Sequence, residues 1–211
     1  MRPQDRNSLA GPQGRLDYHP VHLIPVTMIS KFYHWLHGQW PAGTVEKLPE
    51  VGEDGLTNIP GIRIVGDLGG VPLLKFSSDT GAKAIQAILA ESDFDAARQK
   101  KEKDTVDIAI IGGGVSGFSA AMEAKKAGLD YVLYESTRAF STVENFPKGK
   151  PIFTYPTELK PAGGIHYEGE VGVKETLLQD MKNQVADAGV ESTEGMIDRV
   201  EKKGSGILLH H

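Results

Sequence analysis

Apolar positions are spread unevenly along the chain, and the sharpest pattern lies in residues 106–135, VDIAIIGGGVSGFSAAMEAKKAGLDYVLYE. Residues 106–111 form an apolar run broken only by Asp107, too short for a helix and of strand length. Gly112, Gly113 and Gly114 follow at once, and then small residues recur at helical spacing. A second apolar run, 131–134, stops at an acid, Glu135. The pattern predicts strand, tight turn, helix, strand, the first half of a dinucleotide-binding unit in an α/β fold.

The remaining pattern is weaker. Residues 1–27 are rich in Pro, Gly and polar side chains without a period, which suggests a loosely packed lead-in. Met28, Phe32, Trp35 and Leu36 stand at helical spacing and predict a short helix over 28–37. After a loop-like stretch, Pro60-Gly61 turns the chain into an expected short strand, 62–65, ending in Gly66-Asp67. A helix is predicted over 77–89, with Ala82, Ile85, Ile88 and Leu89 on one face and Ser77, Ser78 and Asp79 as N-cap types. Leu177, Leu178, Met181, Val185 and Ala188 predict an amphipathic helix over 174–188. Residues 196–203 and 207–209, joined by Gly204-Ser205-Gly206, read as a hairpin. The expected organisation is a lead-in (1–55), a Gly-Asp segment (56–91), a charged linker (92–105) and the glycine-fingerprint unit (106–211).

Each fingerprint glycine has a separate task. Gly112 lets the backbone turn out of the strand, Gly114 leaves room for a pyrophosphate, and Gly117 lets the helix lie close on the sheet. Ala121 and Gly128 are expected to continue that close contact. The helix beginning at Val115 and Ser116 would offer unpaired N–H groups and a positive dipole end to phosphates. Glu135, followed by Ser136, stands where a carboxylate can accept both hydroxyls of an adenosine ribose, and an acid there argues against a 2′-phosphate. Gly112, Gly114, Val115, Ser116, Gly117, Glu135 and Ser136 are therefore candidate cofactor-binding residues. The motif does not separate FAD from NAD, and the bland alternative is a glycine-rich turn in a generic α/β domain.

Composition narrows the function classes. With a net charge of −5 and no basic block, nucleic acid is not expected as a partner. Apolar stretches fall short of a membrane span, no clean apolar h-region follows the N-terminal arginines, and the cytoplasm is the expected location. The chain has 0 cysteines, so redox chemistry within it must belong to a cofactor. His19, His22, His34 and His37 lack an acid at useful spacing, and no metal site is expected. No residue stands out as a catalytic acid or base.

Two further motifs carry a resemblance. Thr57, Pro60-Gly61 and Gly66-Asp67 followed by a helix, and the run Thr142-Val-Glu-Asn145-Phe-Pro147, resemble the FAD-binding segments of thioredoxin-reductase-like flavoproteins, over roughly residues 56–200. The resemblance implies a three-layer FAD-binding domain with a mostly parallel sheet and a small antiparallel hairpin. It implies that Asp67, at the Gly66 turn, bonds the FAD ribitol, and that a helix starting near Phe76 points at the flavin ring. By the same analogy Lys75 lies near flavin N1 or O2, and Thr142 and Asn145 lie against the flavin. The implied function is the FAD-binding portion of an oxidoreductase with NAD(P)H as hydride donor, a small-molecule or protein redox acceptor, and a possible homodimer.

Three departures qualify the match. The Gly-Asp segment precedes the fingerprint, which resembles a circular permutation joined through residues 92–105. The loop at 148–172 is longer than in the family. Its Tyr155, His166 and Tyr167 are expected in a surface loop, the alternative being a cover over the flavin. The family's nicotinamide-binding domain and redox cysteines have no counterpart, as if the chain were truncated before them. A non-catalytic flavin-binding module and an NAD-dependent dehydrogenase remain alternatives.

Overall fold

The apolar run before the glycines becomes strand β1 (Ile108–Ile111), and the run ending at the acid becomes β2 (Tyr131–Glu135). In the computed structural model, which describes residues 50–211 except 170, 205 and the side chain of Val171, the two strands pair in parallel from Ile108 opposite Tyr131 to Ile111 opposite Tyr134. The expected helix at 28–37 and the four N-terminal histidines lie outside the described residues.

Helix α1 (Leu74–Leu89) precedes the sheet, α2 (Phe94–Gln99) lies in the charged linker, and α3 (Val115–Lys126) connects β1 to β2. A crossover helix between parallel strands is the connection this pairing requires. Its small residues Ala120, Ala121 and Ala124 are almost fully buried, so α1 and the sheet both pack closely on α3. Phe118 of α3 packs against Phe140 with ring centroids 4.8 Å apart and the rings tilted by 32°. A two-residue strand β5 (Thr193–Glu194) then pairs in parallel with β2, giving the order β1-β2-β5. Its shortness kept it out of any periodicity argument.

Between these elements come α4 (Ser141–Glu144), β3 (Pro151–Phe153), β4 (Val171–Val173) and α5 (Lys174–Asp187). The predicted hairpin forms as β6 (Arg199–Lys203) and β7 (Gly206–His210), antiparallel. α5 buries the expected face, Leu177, Leu178, Met181 and Val185, in the same core as Leu133, Phe140 and Ile165. Met181 and Leu133, at 0% and 1% exposure, each contribute about 1.5–3 kcal/mol by leaving water. The architecture is thus mixed α/β with a mostly parallel sheet and small antiparallel pairs.

Four local expectations are corrected. Residues 62–65 form no strand. Thr57 N–H and Ile64 N–H bond to Ile62 and Gly55 carbonyls within the same loop, and Arg63 makes only an isolated bridge to Leu56. With the Ile62 carbonyl and the Ile62 and Ile64 N–H groups engaged inside the loop, the segment makes no ladder with the sheet. α1 begins three residues early, so Ser77, Ser78 and Asp79 are not caps but buried residues of its first turns. Their side chains serve tertiary contacts, Ser78 Oγ donating to the Ile165 carbonyl at 2.6 Å and Asp79 Oδ1 accepting the Ala162 N–H at 2.8 Å. Gly128 does not space helix from sheet. It ends α3 in a left-handed conformation (φ 69°), while Leu129 N–H bonds back to the Ala124 carbonyl. The 148–172 segment is not merely a surface loop. Phe153 and Tyr155 do stack in the open, but Ile152, Thr154 and Ile165 are buried, β3 pairs with β4, and burial raises the Tyr167 hydroxyl above its ordinary pKa.

Candidate functional site

The site is built where β1 stops. Gly112 N–H still bonds to the Tyr134 carbonyl at 2.8 Å, completing the ladder, and φ of 103° at Gly112 then swings the chain off the sheet. Two residues later Gly114 is the N-cap of α3, in extended conformation and with no side-chain cap bond. The first N–H groups of the helix thus have no intrahelical acceptor and point off its end, together with the positive end of the dipole. Lys125 and Lys126 in the last turn favour the opposite end. A Cβ on Gly114 would meet no protein atom within 4 Å, whereas a Cβ on Gly117 would run into the Gly112 carbonyl. The turn is a bare backbone cradle backed by a tightly packed helix, and the chemistry it suits is a pyrophosphate.

The acid at the end of β2 closes one side. Glu135 Oε2 accepts the Gly113 N–H at 2.6 Å, and Oε1 accepts both the N–H and the hydroxyl of Thr137, at 2.8 and 2.9 Å. Burial alone would raise this carboxyl, but the N–H groups of Thr137, Gly113 and Arg138 and the Thr137 hydroxyl outweigh it and hold the pKa below its ordinary value. The ionised form is therefore the resident one at neutral pH.

Sequence reasoning passed over three contributors here. Gly113 has its backbone against the Glu135 side chain, and a Cβ there would lie 3.0 Å from it. Thr137 holds the carboxylate. Phe140 donates its N–H to the Gly113 carbonyl at 2.8 Å and sits in the left-handed region at φ 58°, unusual for a bulky residue. The unbroken Gly112-Gly113-Gly114 run was the available signal for the first and the two-residue spacing of Thr137 from Glu135 for the second; Phe140 acts through a tertiary contact that no local pattern carries.

The Gly-Asp turn reaches the same place. Residues Gly66–Gly69 form a 3-10 turn in which Gly66 N–H bonds to Thr80 Oγ1 at 3.1 Å and Asp67 Oδ1 accepts the Ser77 hydroxyl at 2.9 Å. A Cβ on Gly66 would strike the Ser116 hydroxyl, and one on Gly81 would strike the Ser116 carbonyl. Ser116, in the first turn of α3, is therefore gripped by the Gly-Asp turn and by α1. Two segments separated by the whole charged linker meet at the glycine fingerprint.

The other candidates are placed as follows. Val115 is buried in the core, Ser136 is exposed just beyond β2, and Phe76 is half-buried in the first turn of α1. Lys75 is 4% exposed, and its ammonium donates to the Pro156 and Thr157 carbonyls at 3.0 Å each, tying the 148–172 segment to the start of α1. Thr142 lies in α4 and Asn145 is its C-cap, where Asn145 N–H bonds to the Ser141 carbonyl. Lys174 Nζ donates to the Glu144 and Phe146 carbonyls at 2.7 and 3.0 Å and so fixes the end of this turn. α4 is linked to the glycine turn through Phe140. Among the described residues no group of three or more His, Asp or Glu is placed to hold a metal ion, and no helix is long and apolar enough to cross a membrane.

No curated protein matches the chain. Among solved structures, bacillithiol disulfide reductase Bdr from Staphylococcus aureus aligns at 22% identity and a TM-score of 0.42, over 48% of this chain and 32% of that one. The Bacillus cereus enzyme aligns at 22% identity and a TM-score of 0.41, again over 48% and 32% of the two chains. The chain thus spans about a third of the length of these reductases. Residues 107–208, which run from the start of the fingerprint unit into the final hairpin, match the family model of the FAD binding domain.

Proposed function

We propose that this chain binds FAD and is the flavin-binding part of a thioredoxin-reductase-like oxidoreductase, with NAD(P)H as hydride donor and a small-molecule or protein acceptor. The observation that carries the proposal is the meeting at Ser116 of the Gly66-Asp67 turn and the glycine fingerprint. A simple NAD fingerprint requires the glycines and the acid but gives no role to a second acidic turn against the same helix end. The family match over 107–208 also favours FAD.

In this reading the first-turn amides of α3 and the bare backbone at Gly114 hold the pyrophosphate. Glu135 accepts from the adenosine ribose, and Asp67, positioned by the Ser77 hydroxyl, accepts from the ribitol. Lys75 holds the 155–157 stretch against α1 and helps keep water from that side. Bound FAD would supply the hydride and electron-transfer chemistry, and the chain supplies binding, orientation and electrostatics. The Gly-Asp segment precedes the fingerprint, which we read as a circular permutation. The two spatial neighbours are joined through α2, whose Arg98 pairs with Asp107 at 2.8 Å.

The test is the absorbance spectrum of the purified chain, followed by titration of flavin-free protein with FAD and with NAD+. Saturable uptake of FAD with a yellow spectrum is expected. Binding of NAD+ without FAD would replace this reading by that of a nicotinamide-dependent dehydrogenase.

A further inference from the structure

Glu135 already has more donors than a free carboxylate waiting for a ribose. An ionised carboxylate offers about four lone-pair positions. Two of them, on Oε1, are taken by the N–H and the hydroxyl of Thr137, at 2.8 and 2.9 Å. A third, on Oε2, is taken by the Gly113 N–H at 2.6 Å, and the Arg138 N–H also faces the group. At most one position is left, on Oε2. A vicinal diol brings two hydroxyls, so the second must displace a resident donor. Gly113 N–H belongs to a backbone turn pinned on one side by the Gly112–Tyr134 bond and on the other by the Phe140–Gly113 bond. Thr137 N–H is likewise backbone. The Thr137 hydroxyl alone among the donors bonded to the carboxylate turns about a single bond, and it belongs to an exposed residue, so water can take its freed hydrogen.

We propose that the Thr137 hydroxyl is a resident competitor for the ribose diol at Glu135, leaving the carboxylate when both hydroxyls of an adenosine ribose bind. This makes Thr137 a determinant of affinity for the diol, and it rests on the reading of the site as one for an adenine dinucleotide. Removing the hydroxyl while keeping the shape and the backbone N–H should leave Oε1 one bond short in the free protein and ready for the second ribose hydroxyl. A net hydrogen bond of ordinary strength corresponds to roughly threefold to tenfold in affinity.

The experiment is isothermal titration of flavin-free wild-type, Thr137→Val and Thr137→Ser proteins with FAD, ADP and 2′-deoxy-ADP. Expected is wild-type binding of FAD and ADP, with Thr137→Val binding both roughly threefold to tenfold more tightly. Thr137→Ser, which restores the hydroxyl, should return to wild-type affinity. For 2′-deoxy-ADP the remaining hydroxyl fits the open position on Oε2, so Thr137→Val should bind it as wild type does. Weaker or unchanged binding of ADP by Thr137→Val would overturn the proposal while leaving the site reading intact, as would an equal gain for 2′-deoxy-ADP. A wild-type chain that binds neither FAD nor ADP would overturn both.

Discussion

A Cβ at Gly114 would touch no protein atom within 4 Å, and the backbone there has φ of −85°, which any residue adopts. A β-carbon at this position therefore has open space, which a bound pyrophosphate would fill. Gly114→Val should change stability by no more than about 1 kcal/mol, the cost of replacing a tolerated N-cap glycine by a poor cap. The same change should lower FAD affinity by on the order of 100-fold, because it blocks charge-assisted bonds worth about 1.5–3 kcal/mol each. Parallel thermal melting and FAD titration check this. Lost binding with a melting temperature lowered by no more than about 4 °C is expected, and retained binding would remove the pyrophosphate from the glycine turn. Gly117 behaves in the opposite way: its missing side chain is required by the fold itself, since a Cβ would collide with the Gly112 carbonyl.

Between elements, the charged linker is held by a buried acid. Asp107, whose side chain has 0% exposure, pairs with Arg98 at 2.8 Å and Lys101 at 3.0 Å and accepts the Asp130 N–H at 2.9 Å. This arrangement pins α2 and the chain after it to the start of β1 and the β2 turn. Burial pulls the Asp107 carboxyl upward, yet the Asp130 N–H and the two cations outweigh it and leave the pKa below the ordinary value of 3.8. A lowered folded pKa stabilises the native state above the unfolded pKa, and that contribution is lost as pH falls through the folded value. The wild-type chain should therefore lose this stability below about pH 4. Asp107→Ala should cost about 3 kcal/mol at neutral pH, the low end for breaking a buried pair because Arg98 and Lys101 are partly solvated. Its stability should then be flatter below pH 4 than that of wild type. Urea unfolding at a series of pH values measures the difference, and parallel curves would show that the pair contributes nothing.

At the scale of the molecule, one glycine fingerprint with its strand and helix occurs among the described residues. The other double glycines have different surroundings. Gly69-Gly70 ends a 3-10 turn, and Gly163-Gly164 packs its backbone against Glu123 and Ser119 of α3. Under the proposed function, a nicotinamide would reach a flavin bound at this fingerprint by collision, without the orientation that can supply roughly 7–11 kcal/mol of barrier reduction. We expect that the FAD-loaded chain alone is bleached by NADH or NADPH only slowly and in proportion to donor concentration. Stopped-flow absorbance reads this directly, and fast, saturable bleaching would reveal a nicotinamide site.

What the amino-acid sequence determined by itself is local. The apolar run, the glycine spacing and the terminal acid specify β1, the turn, α3 and β2, because short-range sterics and hydrogen bonding decide such a unit within some thirty residues. The face of α5 and the final hairpin follow from periodicity and turn chemistry in the same way. Tertiary structure decided the rest. The segment at 62–65 has strand-like residues, but its backbone bonds are made inside its own loop, so pattern and pairing part company there. Ser77, Ser78 and Asp79 look like caps, yet acceptors at Asp67 and Ile165 and the Ala162 N–H donor draw them into the interior. Nothing local shows that Gly66 rests on Ser116, or that the Phe140 N–H bonds to the Gly113 carbonyl. Those contacts arise only when α1 packs against α3 and the chain beyond β2 folds back over the glycine turn, bringing together groups whose spacing along the chain carries no information about their distance in space.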